Sequence, residues 1–437
     1  MERREAAMTA GAGDARAPKL PLDEAARAVA ARLAAAGFET YFAGGCVRDS
    51  ELGLPVKDYD IATAARPEDV KAVFPKARGV GEAFGVMLVR HGGHTFEVAT
   101  FREDGPYHDG RRPSEVRFST AQRDAERRDF TINGLFAVPA TGEVIDFVKG
   151  RTDIAARRIR AIGDPHARIR EDRLRMLRAA KFAARLGFEI EPTTFEAIKA
   201  HAGELASVSP ERVGGELRTM LADPNRARAA ELIERLGLER AIFGEASPAD
   251  RSLPMGFSRL SAVEIGSSDG RQRGGWTTAL AAWWLDRTSG GADIGRIEAA
   301  TALVRRALVL SNDETDGFRS ALVVRLELLG GALAARHALR VRAIAKAGFD
   351  AALALVWAEN PRFGAELGSI ADRELPSRSL PEPILDGAAL IAAGYRPGPE
   401  FKDWLAAALD AQIEGSVSTL DEALWLVERL RGGGPRR

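Results

Sequence analysis

The residues with the most chemical content are Asp58 and Asp60, which flank Tyr59 a short way after Gly44-Gly45-Cys46-Val47-Arg48-Asp49. Read as a short apolar strand from 58 to 63, this segment turns both carboxylates to one face. Two acids so placed can share divalent cations, and magnesium prefers such oxygen donors. The paired glycines, read as lying between a strand and a short helix, offer bare amides to a phosphate. Arg48, one turn into that helix, can add a charge-assisted contact. Together these features suggest metal-assisted nucleotidyl transfer. That chemistry usually takes a third acid from a neighbouring strand. Glu97, in Phe96-Glu97-Val98-Ala99-Thr100, is the candidate, because strand alternation sets it opposite Phe96 and Val98. Each feature also has a plainer reading. Asp-x-Asp is common on exposed strands and turns, and paired glycines usually make a tight turn. No Gly-Lys-Ser/Thr follows them, so this is not a P-loop. Asp49 could instead pair with a nearby arginine.

Two further clusters mix charge with apolar residues. Residues 171–188 read EDRLRMLRAAKFAARLGF. On one helix, Asp172, Arg175, Arg178 and Lys181 form a polar stripe, with Leu174, Leu177, Phe182 and Leu186 on faces suited to a core. Asp172 can only accept and Arg175 can only donate, so the pair could present a rigid pattern to a base edge. Arg178 and Lys181 would then meet phosphate or ribose. The alternative is a solvated helix laced by ion pairs. In Arg127-Arg128-Asp129-Phe130-Thr131-Ile132-Asn133, Arg128 and Asp129 could hold a ribose, while Asp129 or Asn133 could equally cap a helix.

The elements that must position these groups follow from periodicity and punctuation. A helix is expected over 22–36, a strand over 40–43, a helix over 46–52 and another from Pro67 to Phe74. Runs 85–90 and 94–100 around His91-Gly92-Gly93 form a hairpin, and 115–118, 134–138 and 144–147 are further strands. Residues 21–150 thus make an α+β unit with one sheet. After Gly150 nearly everything reads as helix: 165–186, 193–205, 210–221, 226–236 and beyond. GSSDGRQRGG (266–275) is a flexible loop, with further breaks at Ser289-Gly290-Gly291 and Gly330-Gly331, and 376–384 is a linker with three prolines.

At 437 residues the chain exceeds one typical core. Lys+Arg and Asp+Glu are both 62, so any nucleic-acid surface must be local. A single cysteine, Cys46, excludes an internal disulfide and a cysteine-based zinc site. No apolar run spans a bilayer, and residues 1–20 lack a signal core and read as a disordered leader. Cytoplasm is the default location.

Taken together, GGCVRDSELGLPVKDYDIAT, FEVATFRED, YHDGRRP, RRDFTING, EDRLRMLRAAKFAARLGF and ERVGGEL resemble the class II tRNA nucleotidyltransferase and bacterial poly(A) polymerase family, in its order and over residues 40–222. The resemblance implies an α+β, polymerase-beta-type nucleotidyltransferase head with a mixed sheet (21–150). An all-α neck (151–222), body (223–375) and tail (376–437, with a disordered end) follow. It implies Asp58 and Asp60 as Mg2+ ligands, Gly44, Gly45 and Arg48 at the triphosphate, and Arg128 and Asp129 at the ribose. Asp172 and Arg175 resemble the amino-acid template that pairs with cytosine and then adenine, with Arg178 and Lys181 as further basic positions. Most relatives carry Arg where Lys181 stands and Ala where Gly134 stands. The implied partners are tRNA, CTP and ATP, and the implied reaction is template-independent CCA addition. EDGPYHDGRRP (103–113) resembles the loop that accompanies the switch from C to A. ILDGAALIAAGYRPGPEFKDWLAAALDAQIEG resembles a tRNA-contacting tail, with an ordinary helical hairpin as the alternative. Poly(A) synthesis, partial CC or A addition, a silent RNA-binding relative, and transfer to a small molecule remain the rivals. His108-Asp109 is the lone His-Asp pair, so an HD-type hydrolase module is not expected.

Overall fold

The computed structural model describes residues 19–81, 84–105, 115–244, 256–268, 271–272, 274–288 and 293–431. The chain divides into two compact units, the first ending at Val208 and the second beginning at Ser209. Residues 1–18 of the expected leader, His108-Asp109, the 289–291 break and most of the 103–113 loop lie outside the described residues. Leu20, expected in the leader, instead donates its N–H to the Gly92 carbonyl at 3.1 Å and packs on the core.

In the first unit, helix α1 (Leu22–Ala35) buries Ala25, Ala26, Val29, Ala30 and Leu33 along one stripe. Strands β1 (Thr40–Ala43), β2 (Asp60–Thr63), β3 (Arg78–Gly81), β4 (Val86–His91) and β5 (His94–Thr100) follow, interleaved with helices α2 (Gly45–Glu51) and α3 (Pro67–Val73). Then come β6 (Arg102–Asp104), β7 (Val116–Phe118), α4 (Ala121–Glu126), β8 (Leu135–Ala137), β9 (Val144–Asp146) and α5 (Gly150–Ala155). Seven strands form one mixed sheet in the order β3-β4-β5-β2-β1-β8-β9. Strand β2 runs parallel to β5, and β1 runs antiparallel to β2 and β8.

Period-two alternation splits the strand side chains between two cores. Phe42, Ile61, Phe96 and Val98 pack with α1 and α3 on one face. Tyr41, Ala43, Ala62, Phe101 and Phe136 pack with Ala121 and Ala125 of α4 on the other. Asp60 is paired with Ala43, and Ile61 with Val98, so Asp60 and Glu97 belong to the second face.

Several expectations need correction. The strand carrying the acids begins at Asp60, not Asp58, because β1 ends opposite it at Ala43 and the chain then turns at Gly44. Asp58 therefore precedes the ladder. Strand β3 went unrecognised because its glycines hide the alternation. The expected 115–118 strand does not join the sheet but pairs with β6 as a separate ribbon.

The neck is not all helix. Strands β10 (Arg158–Ile159) and β11 (Glu189–Ile190) form a short parallel ladder, and Phe130 bridges to Ala161. The expected 165–186 helix is two helices, α6 (Pro165–Glu171) and α7 (Arg175–Leu186). Between them Asp172 is extended, at φ −146° and ψ 104°. Its Oδ1 accepts the Leu174 N–H at 3.1 Å, a local bond that competes with helix continuation. Helix α8 (Pro192–His201) ends in a 3-10 segment, Ala202–Ser207. Gly134 now has a packing explanation: a Cβ there would sit 2.6 Å from Val148 Cγ2, so the branched valine fills the space a methyl would take.

The second unit is helical, with one short antiparallel pair (Ser267–Ser268 with Arg271–Gln272) inside the expected 266–275 loop. Helices Phe349–Glu359 and Pro361–Glu374 cross closely at Gly364, where a Cβ would lie 2.6 Å from Trp357 Cα. They share a core with Val324, Leu328 and Ile344. A separate core of Leu385, Leu390, Ala408, Val417, Ala423 and Val427 holds the C-terminal helices together. The expected Gly394 stop is present at φ +88°. No helix among the described residues is long and apolar enough to cross a membrane.

Candidate active site

A cavity of about 510 Å³ in the first unit brings most of the candidate residues together. The β1–α2 turn supplies Gly44, Gly45 and Arg48, and the lead into β2 supplies Lys57, Asp58 and Asp60. The segment after α4 supplies Arg127, Arg128, Asp129 and Asn133. The α6–α7 joint and α7 supply Asp172, Arg175, Arg178, Phe182 and Arg185. Cationic side chains outnumber acids on this wall, so the chain's balanced charge conceals a local positive surface. Two candidates do not line it: Lys181 and Glu97.

Gly44 sits at φ 73° and ψ −123°, a conformation open to glycine alone, and forms the N-cap of α2. It also lets Arg128 approach: a Cβ at Gly44 would be 2.8 Å from Arg128 Nη1.

Asp60 opens onto the cavity, yet protein crowds its flanks. That crowding, then the negative charges of Asp58 and Glu97, pushes its carboxyl up to about 6, with Arg128 pulling the other way. Like charges in one place are a standing attraction for a cation. Among the described residues no group of three His, Cys, Asp or Glu side chains forms a metal cage. Two carboxylates nevertheless suit magnesium, which usually takes its remaining ligands from water and substrate phosphates. Cys46 lies beneath the turn, and burial pushes its thiol up to about 11, so it is inert.

The arginines are held firmly. Arg48 is 3% exposed, donates to Asn133 Oδ1 at 2.5 Å and pairs with Asp49 at 2.6 Å. It is therefore a built-in wall of the cavity, not a side chain reaching freely for phosphate. Asp49 also takes Arg185 Nη2 at 3.0 Å, which supports its reading as a structural partner. Asp124, 1% exposed, receives Arg127 at 2.6 Å and Arg128 at 2.9 Å. Burial alone would raise its carboxyl, but the two arginines outweigh burial and hold it below the usual range. Asp129 behaves the same way. Burial opposes its charge, while Arg178 at 2.7 Å, Asn133 and the Phe130 N–H stabilise it. Asp129 and Asn133 thus bond to each other and do not cap a long helix; only a 3-10 turn, Thr131–Asn133, follows.

Arg175 does not pair with Asp172. Its Nη1 donates to Glu171 at 2.6 Å and to the Arg168 carbonyl at 2.7 Å, and its Nη2 donates to the Arg127 carbonyl at 3.3 Å. This leaves Nε–H and one Nη2–H without a hydrogen bond among the described residues. Phe182 was expected in the core. It is nearly buried but lines the cavity, with Arg48, Arg178 and Lys181 at 5.0, 5.2 and 5.2 Å from its ring centre. Lys57, Arg127 and Arg185 also line the wall. All three lie inside segments already singled out from the sequence, but none is itself among the expected site residues.

An acidic pair and a glycine turn on a mixed sheet, with an arginine-lined helix supplying another wall, define a nucleotidyltransferase. The family model for the poly A polymerase head domain matches residues 40–160, and that for the probable RNA and SrmB-binding site of polymerase A matches 187–249. The chain is 35% identical over 416 residues to the CCA-adding enzyme of Geobacillus thermodenitrificans, covering 90% of this chain and 94% of that protein. It is 34% identical to the CCA-adding enzyme of Lacticaseibacillus paracasei, covering 86% and 88%. Among solved structures, the Bacillus stearothermophilus CCA-adding enzyme in complex with CTP superposes with a TM-score of 0.77 at 30% identity, covering 94% of this chain and 98% of that one. The Thermotoga maritima CCA-adding enzyme complexed with tRNA shares the fold, with a TM-score of 0.62 at 19% identity. The chain belongs to the CCA-adding enzyme family.

Proposed function

We propose that this protein adds C, C and A to the 3′ end of tRNA, using CTP and ATP, in the cytoplasm. The observation that carries this reading is the single cavity in which Asp58 and Asp60, the Gly44-Gly45 turn, and Asp172 with Arg175 all meet. Asp58 and Asp60 would hold Mg2+, which when bound supplies charge neutralisation at the triphosphate and a lower pKa for the attacking hydroxyl. Glu97, on the same sheet face, adds negative field behind Asp60. The Gly44-Gly45 amides cradle phosphate, with the buried Arg48 fixing the wall beside them. Arg128 and Asp129 orient the ribose, both prealigned by charged partners. Preorganised donors of this kind cost no reorganisation in the reaction.

Base choice falls to Asp172 and Arg175. The remaining Nε–H and Nη2–H donors of Arg175 suit the two neighbouring acceptors, N3 and O2, of cytosine. The carboxylate of Asp172 matches an exocyclic amino group, which cytosine and adenine carry and uracil lacks. Arg178 and Lys181 add positive field along α7. Head, neck, body and tail follow the divisions 21–150, 151–222, 223–375 and 376–437, with the tail contacting the tRNA backbone.

The direct test supplies purified protein with tRNA ending before CC, or after CC, and each nucleotide separately. Addition of two C and then one A supports the proposal. A long A tract would make the protein a poly(A) polymerase, and growth stopping at CC would make it a partial enzyme. Asp60→Ala should abolish incorporation while tRNA binding persists.

A further inference from the structure

The joint between α6 and α7 carries both base-reading candidates; Asp172 there is extended, while Arg175 is the first residue of α7. Rotation about that residue would re-aim its carboxylate without unfolding either helix. Arg173, between the candidates in sequence, does not line the cavity. Its Nε donates to Glu204 Oε2 at 3.0 Å. The other oxygen of Glu204 lies 2.6 Å from His201 Nδ1, which must donate, since a carboxylate only accepts. His201 Nε2 in turn lies 3.1 Å from Nδ1 of His166 on α6, so the two rings share one proton. The path leaves the joint at Arg173, crosses the 3-10 segment and α8, and returns to α6. With the α6 backbone it closes a ring around the non-helical Asp172.

We infer that Arg173 and Glu204 are positioning residues for base selection, locking the α6–α7 joint so that Asp172 and Arg175 face the incoming nucleotide in one arrangement. This rests on the base-reading role proposed above. Glu204 is suited to the task. The His201 hydrogen bond, followed by that of Arg173, holds its carboxyl below the usual range despite some burial. A half-exposed ion pair contributes little stability in itself. Its contribution here is geometric, because small misplacement of a recognition group costs far more in rate than in folding.

The test uses the full chain with Arg173→Ala, with Glu204→Gln, which keeps size but removes charge, and with the exchanged pair Arg173→Glu plus Glu204→Arg. The parent and variants are compared for CTP against UTP on tRNA ending before CC, with KM and kcat separated. Each single change should lower CTP-over-UTP discrimination about tenfold, mainly through the KM for CTP, with the KM for tRNA and the melting temperature little changed. The exchanged pair should recover discrimination to within about threefold of the parent. Single variants within about twofold of the parent, or an exchanged pair no better than the singles, overturn the inference. Arg175→Ala in parallel separates the two assignments. If it loses discrimination while the Arg173 and Glu204 variants keep it, only the brace is wrong. If it keeps discrimination, base reading by Arg175 falls and the brace falls with it.

Discussion

Asp60 shows how one residue can be awkward for the fold and useful to the reaction. Its carboxyl is raised from 3.8 to about 6, so its charged form is disfavoured in the folded protein. The resulting contribution to stability is fully present below the ordinary carboxylate pKa and is lost as pH rises through about 6. In metal-free buffer at about pH 8, Asp60→Asn should therefore be more stable than the parent, by on the order of 1 kcal/mol after screening by cavity water. The gap should close at about pH 4, and thermal melts in chelator check it. Parallel curves at all pH values would remove the field we assign to Asp58 and Glu97. Asp124 has the opposite sign. Its folded pKa is depressed, so its stabilisation is present above the ordinary value and lost as pH falls through the folded one. Asp124→Asn should cost about 2 to 3 kcal/mol at neutral pH, because two arginines lose a buried partner. It should also raise the nucleotide KM by releasing Arg128, measured by denaturant melts and initial rates.

The elements around the site depend on glycines that permit close approach. At Gly44 an alanine would need a backbone conformation costing about 1 to 3 kcal/mol and would press on Arg128. Gly44→Ala should raise the nucleotide KM about tenfold or more while the melting temperature falls by only a few degrees. A large loss of stability with normal KM would make the turn merely structural. Gly134→Ala tests packing alone. The new methyl meets Val148, so the variant should lose about 1 to 3 kcal/mol. Adding Val148→Ala should restore part of that loss, read by a double-mutant cycle in denaturant.

At the scale of the whole molecule, the two units have separate hydrophobic cores. The cavity residues all lie before Val208, while the cores built on Ile344 and Leu390 belong wholly to the second unit. A chain of residues 19–208 should bind CTP, by calorimetry, within about tenfold of the full protein, but should extend tRNA at least about a hundredfold more slowly. Equal tRNA turnover by the fragment would deny the helical unit any part in holding the substrate.

The sequence by itself determined the acidic pair, the glycine turn, the strands that carry them and the helical character of the rest, because these follow from local periodicity and from residue types with few alternatives. It also exposed the candidate residues of α7, since their spacing survives in any helix. Only the tertiary structure decided where the ladder beside Asp58 stops, since pairing depends on where β1 turns away. It decided that the 165–186 helix breaks at Asp172, where one carboxylate–amide bond wins over helix propagation. It also set Arg48 as a buried wall and Phe182 as a cavity face. The Asp172 bond reaches only two residues along the chain, but Arg48 and Phe182 take their places from partners such as Asn133 and each other, far apart in sequence, whose proximity no local pattern encodes.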